Sequence, residues 1–134
     1  MQKILAYPFT LIFFIAFGAA LLFFHPIIWI CHRVFGYNGI KRAISVLNLT
    51  LIRTTNLLGT TYRFTNNHDI PLDRPLIIVT NHQSMYDIPP IIWYMRKYHP
   101  KFVSKKELGS GIPSVSYNLK HGGAALIDRN DGKS

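Results

Sequence analysis

The first half of this sequence lacks acidic residues. No Asp or Glu precedes Asp69, and the whole 134-residue chain has 15 Lys and Arg against 6 Asp and Glu, a formal charge of +9. A chain this basic binds nucleic acid or an anionic membrane surface. Because 49% of the residues are hydrophobic and only 16% are charged, the composition favours the membrane. Nucleic-acid binding ranks last, since no zinc spacing, helix-turn-helix or RNA-binding signature is present.

Cysteine is scarce in this sequence, and charged residues are scarce near its N-terminus. The single Cys31 excludes an internal disulfide and supplies no metal-binding framework. Between Lys3 and Arg33 no residue is formally charged, and the apolar run 4–24 spans about 31 Å as a helix, about the thickness of a bilayer core. A retained membrane segment is favoured over a cleaved signal because Leu21–Phe24 continue the apolar run past the small residues.

The path of this apolar segment has two interpretations. Pro26 is expected to end a spanning helix, or to form the bend of a re-entrant hairpin in which Ile27–Ile30 return. The sequence does not separate the two. In both, the basic residues that follow place the remainder of the chain, with its catalytic part, on the cytoplasmic side of the membrane.

The segment 40–58 predicts a basic amphipathic helix. Its only charges are positive, Gly59 suits a C-terminal cap, and apolar residues recur at helical spacing: Ile40, Ala43, Ile44, Leu47, Leu51 and Leu58. Such a helix lies on anionic headgroups or packs on the globular part, and these alternatives are compatible. Residues 1–59 are therefore predicted to be a membrane-associated helical region, with the apolar part at 4–30 and the basic helix at 40–58.

Residues 60–134 predict an α/β fold. Short apolar runs alternate with helical segments in the βαβ order of a parallel sheet. Strands are expected at 61–66, Leu76–Thr80, Lys101–Ser104 and Ala124–Asp128, and helices at Ile88–Tyr98 and Pro113–Lys120. The polar segment Arg129–Ser134 does not cover the second face of this sheet, so the domain is expected to be incomplete at its C-terminus.

One loop carries candidate chemistry. In open α/β sheets ligands bind beyond the carboxyl ends of strands, and His82 follows the predicted strand Leu76–Thr80 directly. Asp87 could turn back to this imidazole and orient it as a general base. The alternatives are a surface histidine and an Asp87 that only caps the following helix. A metal site is disfavoured, because His82 and Asp87 would be two ligands without a third.

Two separated motifs give the sequence a family likeness. The stretch NHQSMYD (81–87) resembles the His-x4-Asp motif of glycerolipid acyltransferases, in particular the 1-acylglycerol-3-phosphate (lysophosphatidic acid) acyltransferases. The stretch from Phe102 to Asp131 resembles the second block of that family, in which a Lys-rich strand end leads through Ile-Pro and Gly to Ile-Asp-Arg. The resemblance covers about residues 62–131.

The resemblance implies a membrane-bound enzyme of phospholipid biosynthesis that uses an acyl thioester and no cofactor. His82 would take a proton from the hydroxyl of a lysophospholipid acceptor, which attacks acyl-CoA or acyl carrier protein, and Asp87 would orient His82. Arg129 would bind the phosphate of the acceptor, with Lys105 as a second candidate. Each assignment has an alternative. Lys105 could be a solvated lysine beside Lys106, and Arg129 could pair with a neighbouring carboxylate.

Two departures from the family pattern qualify this expectation. Ser116 stands where the family commonly has a glycine, and the expected third block, Phe-Pro-Glu-Gly-Thr-Arg, is not found before Ser134. The chain is therefore expected to be the N-terminal part of such an enzyme, and the activity of this form stays open. The competing hypothesis is a non-enzymatic basic membrane protein that binds anionic lipid through its first half.

Overall fold

Two helical arms joined by a kink form the first half of the protein. The structure, a computed structural model, describes residues 2–81 and 83–128, with side chains from Tyr7 onward. Helix α1 extends over Gln2–Thr55 and is followed by a 3₁₀ turn at Asn56–Leu58, which ends at Gly59 in the left-handed conformation that suits a C-terminal cap. By length and composition α1 could cross a membrane.

Helix α1 folds back on itself at Gly36. This glycine has φ 58° and ψ −143°, a combination that is accessible almost only to glycine. Gly39 then approaches so closely that a Cβ atom there would overlap the carbonyl of Cys31. The helix therefore consists of a first arm (residues 2–35) and a second arm (residues 37–55) in an apolar hairpin.

The two arms share one hydrophobic core. The buried residues of the second arm recur every three or four positions, as the periodicity of its sequence predicts, and pack with Ala20 and Ile28 of the first arm; they are Ile40, Ala43, Ile44, Leu47 and Leu51. The apolar face of the basic helix is therefore packed mainly against the first arm, and Ile92 and Tyr117 of the second half pack against the same cluster.

The expected role of Pro26 was wrong. The helix continues through Pro26, and the chain reverses ten residues later at Gly36. Proline has a helical φ and loses only one backbone hydrogen bond to the preceding turn. That loss leaves the helix intact, whereas the φ and ψ of Gly36 are incompatible with helix. Ile27–Ile30 therefore continue the first arm and do not return as the hairpin interpretation expected, and the choice between a spanning and a re-entrant path in the membrane stays a prediction.

The second half contains two short helices and two short strands. Helix α2 is Ile88–Tyr94, with prolines in its first turn. Strand β1 (Val103–Lys105) pairs in parallel with strand β2 (Ala125–Ile127), with Val103 opposite Ala125 and Lys105 opposite Ile127. A 3₁₀ turn at Lys106–Gly109 and helix α3 (Val115–His121) lie between the two strands.

The predicted larger sheet does not form within the described residues. The runs 61–66 and Leu76–Thr80 have no strand structure, and Ile77 and Val79 are 96% and 90% exposed. A short apolar run becomes a strand only where a neighbouring strand accepts and donates its backbone hydrogen bonds, and within residues 2–81 and 83–128 the sheet consists of β1 and β2. The βαβ-type domain architecture therefore stays a prediction.

Ser114 joins the second half of the protein to the first arm. This residue is fully buried. Its N–H donates to Nδ1 of His25 at 2.9 Å, and its hydroxyl donates to the carbonyl of Leu21 at 2.5 Å. Ser114 has φ 62°, which is unfavourable for a residue other than glycine. The two hydrogen bonds to the first arm oppose the cost of this backbone conformation.

A second junction joins the bend of the hairpin to the chain before β1. The rings of Tyr37 and His99 lie 5.1 Å apart, and Lys101 donates to the hydroxyl of Tyr37 and to the carbonyl of Gly122. Nε2 of His99 is buried and has no hydrogen-bond partner in the part of the chain that the structure describes. Burial lowers the pKa of the His99 imidazole, and the cation of Lys41 lowers that pKa further.

We expect His99 to make stability depend on pH. Because the folded protein disfavours protonated His99, the unfolded chain takes up that proton first as the pH falls through about 6.5. Stability should therefore decrease from pH 7 towards pH 5. Position 99 has φ 49°, which asparagine tolerates. Because His99→Asn has no titrating group, its thermal unfolding should show a smaller decrease over the same range. Equal pH slopes for the two proteins would contradict this assignment.

The hairpin predicts opposite effects for two glycine substitutions. Gly36→Ala should destabilise the protein by about 1–3 kcal/mol because its backbone conformation excludes a side chain, although no atom obstructs a Cβ there. Gly18→Ala, equally unobstructed but inside the first arm, should stabilise it by about 0.5–1 kcal/mol. Thermal unfolding in detergent, followed by circular dichroism, measures both. A Gly36→Ala protein as stable as wild type would exclude the bend.

Candidate active site

The loop before α2 is closed by a carboxylate. Oδ2 of Asp87 accepts hydrogen bonds from the backbone N–H groups of Gln83 and Ser84, both at 2.8 Å. In return, the hydroxyl of Ser84 accepts from the N–H of Tyr86 at 3.3 Å. This reciprocal pattern is a capping box for the 3₁₀ turn Met85–Asp87, and it points the carboxylate back along the chain.

The position of Asp87 is relevant to its predicted contact with His82. His82 lies outside the described residues, so its contact with Asp87 stays a prediction. The side chain of Asp87 makes no capping hydrogen bond to α2; it binds the two amides that immediately follow position 82. The carboxylate thus has a capping role at the 3₁₀ turn Met85–Asp87 that leads directly into α2, and its second role as the orienting partner of His82 stays a prediction.

An aromatic contact that was not predicted fixes this loop to the first arm. The ring of Tyr86 packs edge-on against Phe13 and Phe17, with centroid distances of 5.6 Å and 5.9 Å. Phe13 is only 1% exposed. The sequence shows a tyrosine inside the motif and two phenylalanines four residues apart in the apolar run. Their contact joins distant parts of the chain, so the periodicity of the sequence does not reveal it.

The predicted phosphate-binding residues belong to the strand ends. Lys105 is the last residue of β1 and is exposed. Arg129 lies outside the described residues, two positions after the end of β2 at Ile127. Because Lys105 is opposite Ile127 in a parallel pair, β1 and β2 end at the same edge of the sheet. Joint binding of an anion by Lys105 and Arg129 stays a prediction.

A weak ion pair lies at this same edge. Nζ of Lys106 is 3.7 Å from Oδ2 of Asp128, and the two side chains are 69% and 35% exposed. Such an exposed pair contributes little stability. The ion pair directs the side chain of Lys106 to Asp128, the residue that precedes Arg129 in the sequence. No such pair is formed by the described atoms of Lys105.

The serine that replaces the expected glycine has a structural role. The hydroxyl of Ser116 accepts from the N–H of Ile112 at 3.0 Å and donates to the carbonyl of Leu108 at 2.9 Å. These hydrogen bonds close the loop between the 3₁₀ turn and α3. In the described part of the chain no group of three or more His, Cys, Asp or Glu side chains could hold a metal ion.

We predict that the Asp87 carboxylate stabilises its loop. Asp87→Ala should lower the free energy of unfolding by about 1–2 kcal/mol, because two backbone amides lose a charged acceptor. Ser84→Ala, which removes an acceptor for only one amide, should cost about half as much. Urea unfolding of both variants checks the ratio. If Asp87→Ala unfolded at the wild-type urea concentration, the carboxylate would not be holding the loop.

Comparison with known proteins identifies the family to which the chain belongs. The model of a protein family described as Acyltransferase matches residues 61–134, which is more than half of the chain and includes the His-x4-Asp loop and both strands. Searches of curated proteins and of solved structures found no match. The family match agrees with the motifs at 81–87 and 102–131. The chain belongs to the glycerolipid acyltransferase family.

Proposed function

We propose that this protein is a membrane-bound O-acyltransferase that moves a fatty acyl group from a thioester to the free hydroxyl of a lysophospholipid. The preferred acceptor in this proposal is 1-acylglycerol-3-phosphate, and the product is phosphatidic acid. The family match over residues 61–134 carries the proposal, because it supports acyl transfer and contains every residue assigned a role below. The donor, acyl-CoA or acyl carrier protein, belongs to the same proposal.

In the proposed reaction His82 is the general base. Its imidazole removes the proton of the acceptor hydroxyl while the oxygen attacks the thioester carbonyl. The new ester C–O bond forms, the C–S bond breaks, and the departing thiolate takes the proton from the imidazolium. Asp87 orients the ring and stabilises its cationic form. Support for this role is the Asp87 carboxylate, which turns back to the amides next to position 82.

The proposed acceptor site is the edge of the sheet where Lys105 ends β1. A phosphate monoester has the charge and geometry that suit the forked guanidinium of Arg129, with Lys105 as a point charge. The location agrees with the rule that ligands bind beyond the carboxyl ends of parallel strands. Both assignments are proposals, as is the absence of a cofactor.

The apolar hairpin supports membrane attachment. Many large hydrophobic side chains of the first arm are exposed, including Phe14, Ile15, Leu22 and Phe23, at 58%, 63%, 63% and 66%. Exposed side chains of this size are typical of a surface that contacts lipid or another protein. Since the proposed acceptor is itself a membrane lipid, a membrane-bound hairpin would deliver substrate to the loop that Tyr86 holds against Phe13 and Phe17.

The proposal predicts loss of acyl transfer in motif variants. The purified protein in detergent is supplied with oleoyl-CoA and 1-oleoyl-lysophosphatidic acid, and phosphatidic acid is measured by mass spectrometry. His82→Ala should reduce turnover by at least about 100-fold, and Asp87→Asn, which keeps an oxygen acceptor for the loop, should also reduce it strongly. Arg129→Gln should raise KM for the acceptor more than it lowers kcat.

A matched control is the exposed loop histidine His68, for which His68→Ala should keep wild-type turnover. Wild-type turnover in His82→Ala would reject the general base. If the wild-type protein bound lipid without any acyl transfer, the non-enzymatic alternative would be favoured. The outward-facing Arg42 and Arg53 of the second arm give that alternative its physical basis.

A further inference from the structure

A cleft separates the first arm from the loop before α3. Its volume is about 440 Å³, and it is lined by His25 of the first arm, by the loop Gly109–Pro113, and by Ser116, Tyr117, Lys120 and His121. Lys105, the residue assigned to the acceptor site, is not among the lining residues. Among the described residues, the cleft and the Lys105 edge of the sheet therefore share no lining side chain.

The charge of the cleft is positive. Lys120 contributes a cation and His25 and His121 contribute imidazoles, whereas none of the lining residues that the structure describes is acidic. Glu107 precedes the cleft loop but does not line the cleft. Lys120 has no ion pair or hydrogen bond within residues 2–81 and 83–128, so its ammonium group is available to a ligand. An anion is the ligand that this set of groups would bind.

The two imidazoles are held in place by neighbouring groups. Nδ1 of His25 accepts the N–H of Ser114 at 2.9 Å, so the neutral ring carries its proton on Nε2 and remains a donor. The ring of His121 lies 4.4 Å from that of Tyr117 and 5.2 Å from that of His32. Both rings are therefore held in place before a ligand arrives, which lowers the entropy cost of binding.

The surroundings of the cleft are apolar. Ile112, Pro113 and Tyr117 contribute apolar wall to the cleft. A free inorganic anion would make no use of this apolar surface. A lipid would place its phosphate among the positive groups and its glycerol and acyl carbons against the wall.

We propose that this cleft binds the phosphate of an anionic membrane phospholipid, with Lys120 as its main contact. Such a lipid would be a bound component of the hairpin junction and not the acceptor of the reaction. The inference rests on the membrane attachment proposed above and does not depend on acyl transfer.

Native mass spectrometry of the detergent-solubilised protein tests this site. Phosphatidylglycerol, which is neither the proposed acceptor nor the proposed product, is titrated and its Kd is measured. Lys120→Gln should weaken binding about tenfold, because one charge-assisted contact to the phosphate is lost. Lys120→Arg should bind within about twofold of wild type, since the positive charge remains. Zwitterionic phosphatidylcholine should bind more weakly than phosphatidylglycerol.

Two lysines outside the cleft provide matched controls. Lys97→Gln removes the same charge from an exposed position after α2, and Lys105→Gln removes it from the proposed acceptor site; both should retain phosphatidylglycerol binding within about twofold. Equal losses in Lys97→Gln and Lys120→Gln would show general surface attraction and overturn the proposal. A loss in Lys105→Gln alone would place the lipid at the acceptor site and also overturn it.

Two further measurements distinguish a lipid site from a site for free phosphate, and lipid binding from acyl transfer. If inorganic phosphate at millimolar concentration bound with the same dependence on Lys120 while the lipid did not, the lipid assignment would be wrong. Asp87→Asn should bind phosphatidylglycerol as the wild type does even without acyl transfer. Failure of the proposed enzyme activity and failure of the lipid site would thus be distinguished.

Discussion

The architecture depends on the two hydrogen bonds that Ser114 makes to the apolar helix. Ser114 is fully buried with an unfavourable positive φ, and its N–H and hydroxyl donate to His25 and to the carbonyl of Leu21. Leaving either buried donor without a partner would cost about 1–3 kcal/mol. These bonds set α3 against the first arm, and because α3 lies between β1 and β2 in the chain, they also set the position of the strand edge that carries Lys105.

The apolar hairpin thereby acts as a scaffold for the loops of the acyltransferase half. Tyr86 packs on Phe13 and Phe17, so the His-x4-Asp loop is seated on the same arm that Ser114 binds. The Asp87 carboxylate then holds the loop closed through the amides of Gln83 and Ser84. Under the proposed function, an enzyme whose acceptor is a lipid has its motif loop held by the segment that enters the membrane.

Local features of this fold were predictable from sequence, and long-range ones were not. The helical periodicity of the second arm, the short helices after 87 and 113, and the strands near 103 and 125 follow from side-chain spacing and turn residues. The strand expected at Leu76–Thr80 was wrong, because an apolar run does not reveal whether a partner strand exists. The glycines of Gly36–Gly39 indicate a turn in the sequence, but the hairpin bend was assigned to Pro26 because proline is the stronger helix breaker. The motifs at 81–87 and 102–131 indicated the family. The contacts of Tyr86 and Ser114 join residues that are far apart in the sequence, so no local pattern predicts them.

Hydrogen–deuterium exchange at the Ser114 junction tests most directly whether the hairpin and the acyltransferase half fold as one unit. Peptides covering residues 112–121 are followed by mass spectrometry in wild type and in His25→Ala. The account predicts slow exchange of this segment in wild type and much faster exchange in the variant, because the Ser114 N–H loses its acceptor. Fast exchange in both proteins, or equal protection in both, would contradict the claim that this contact joins the two halves.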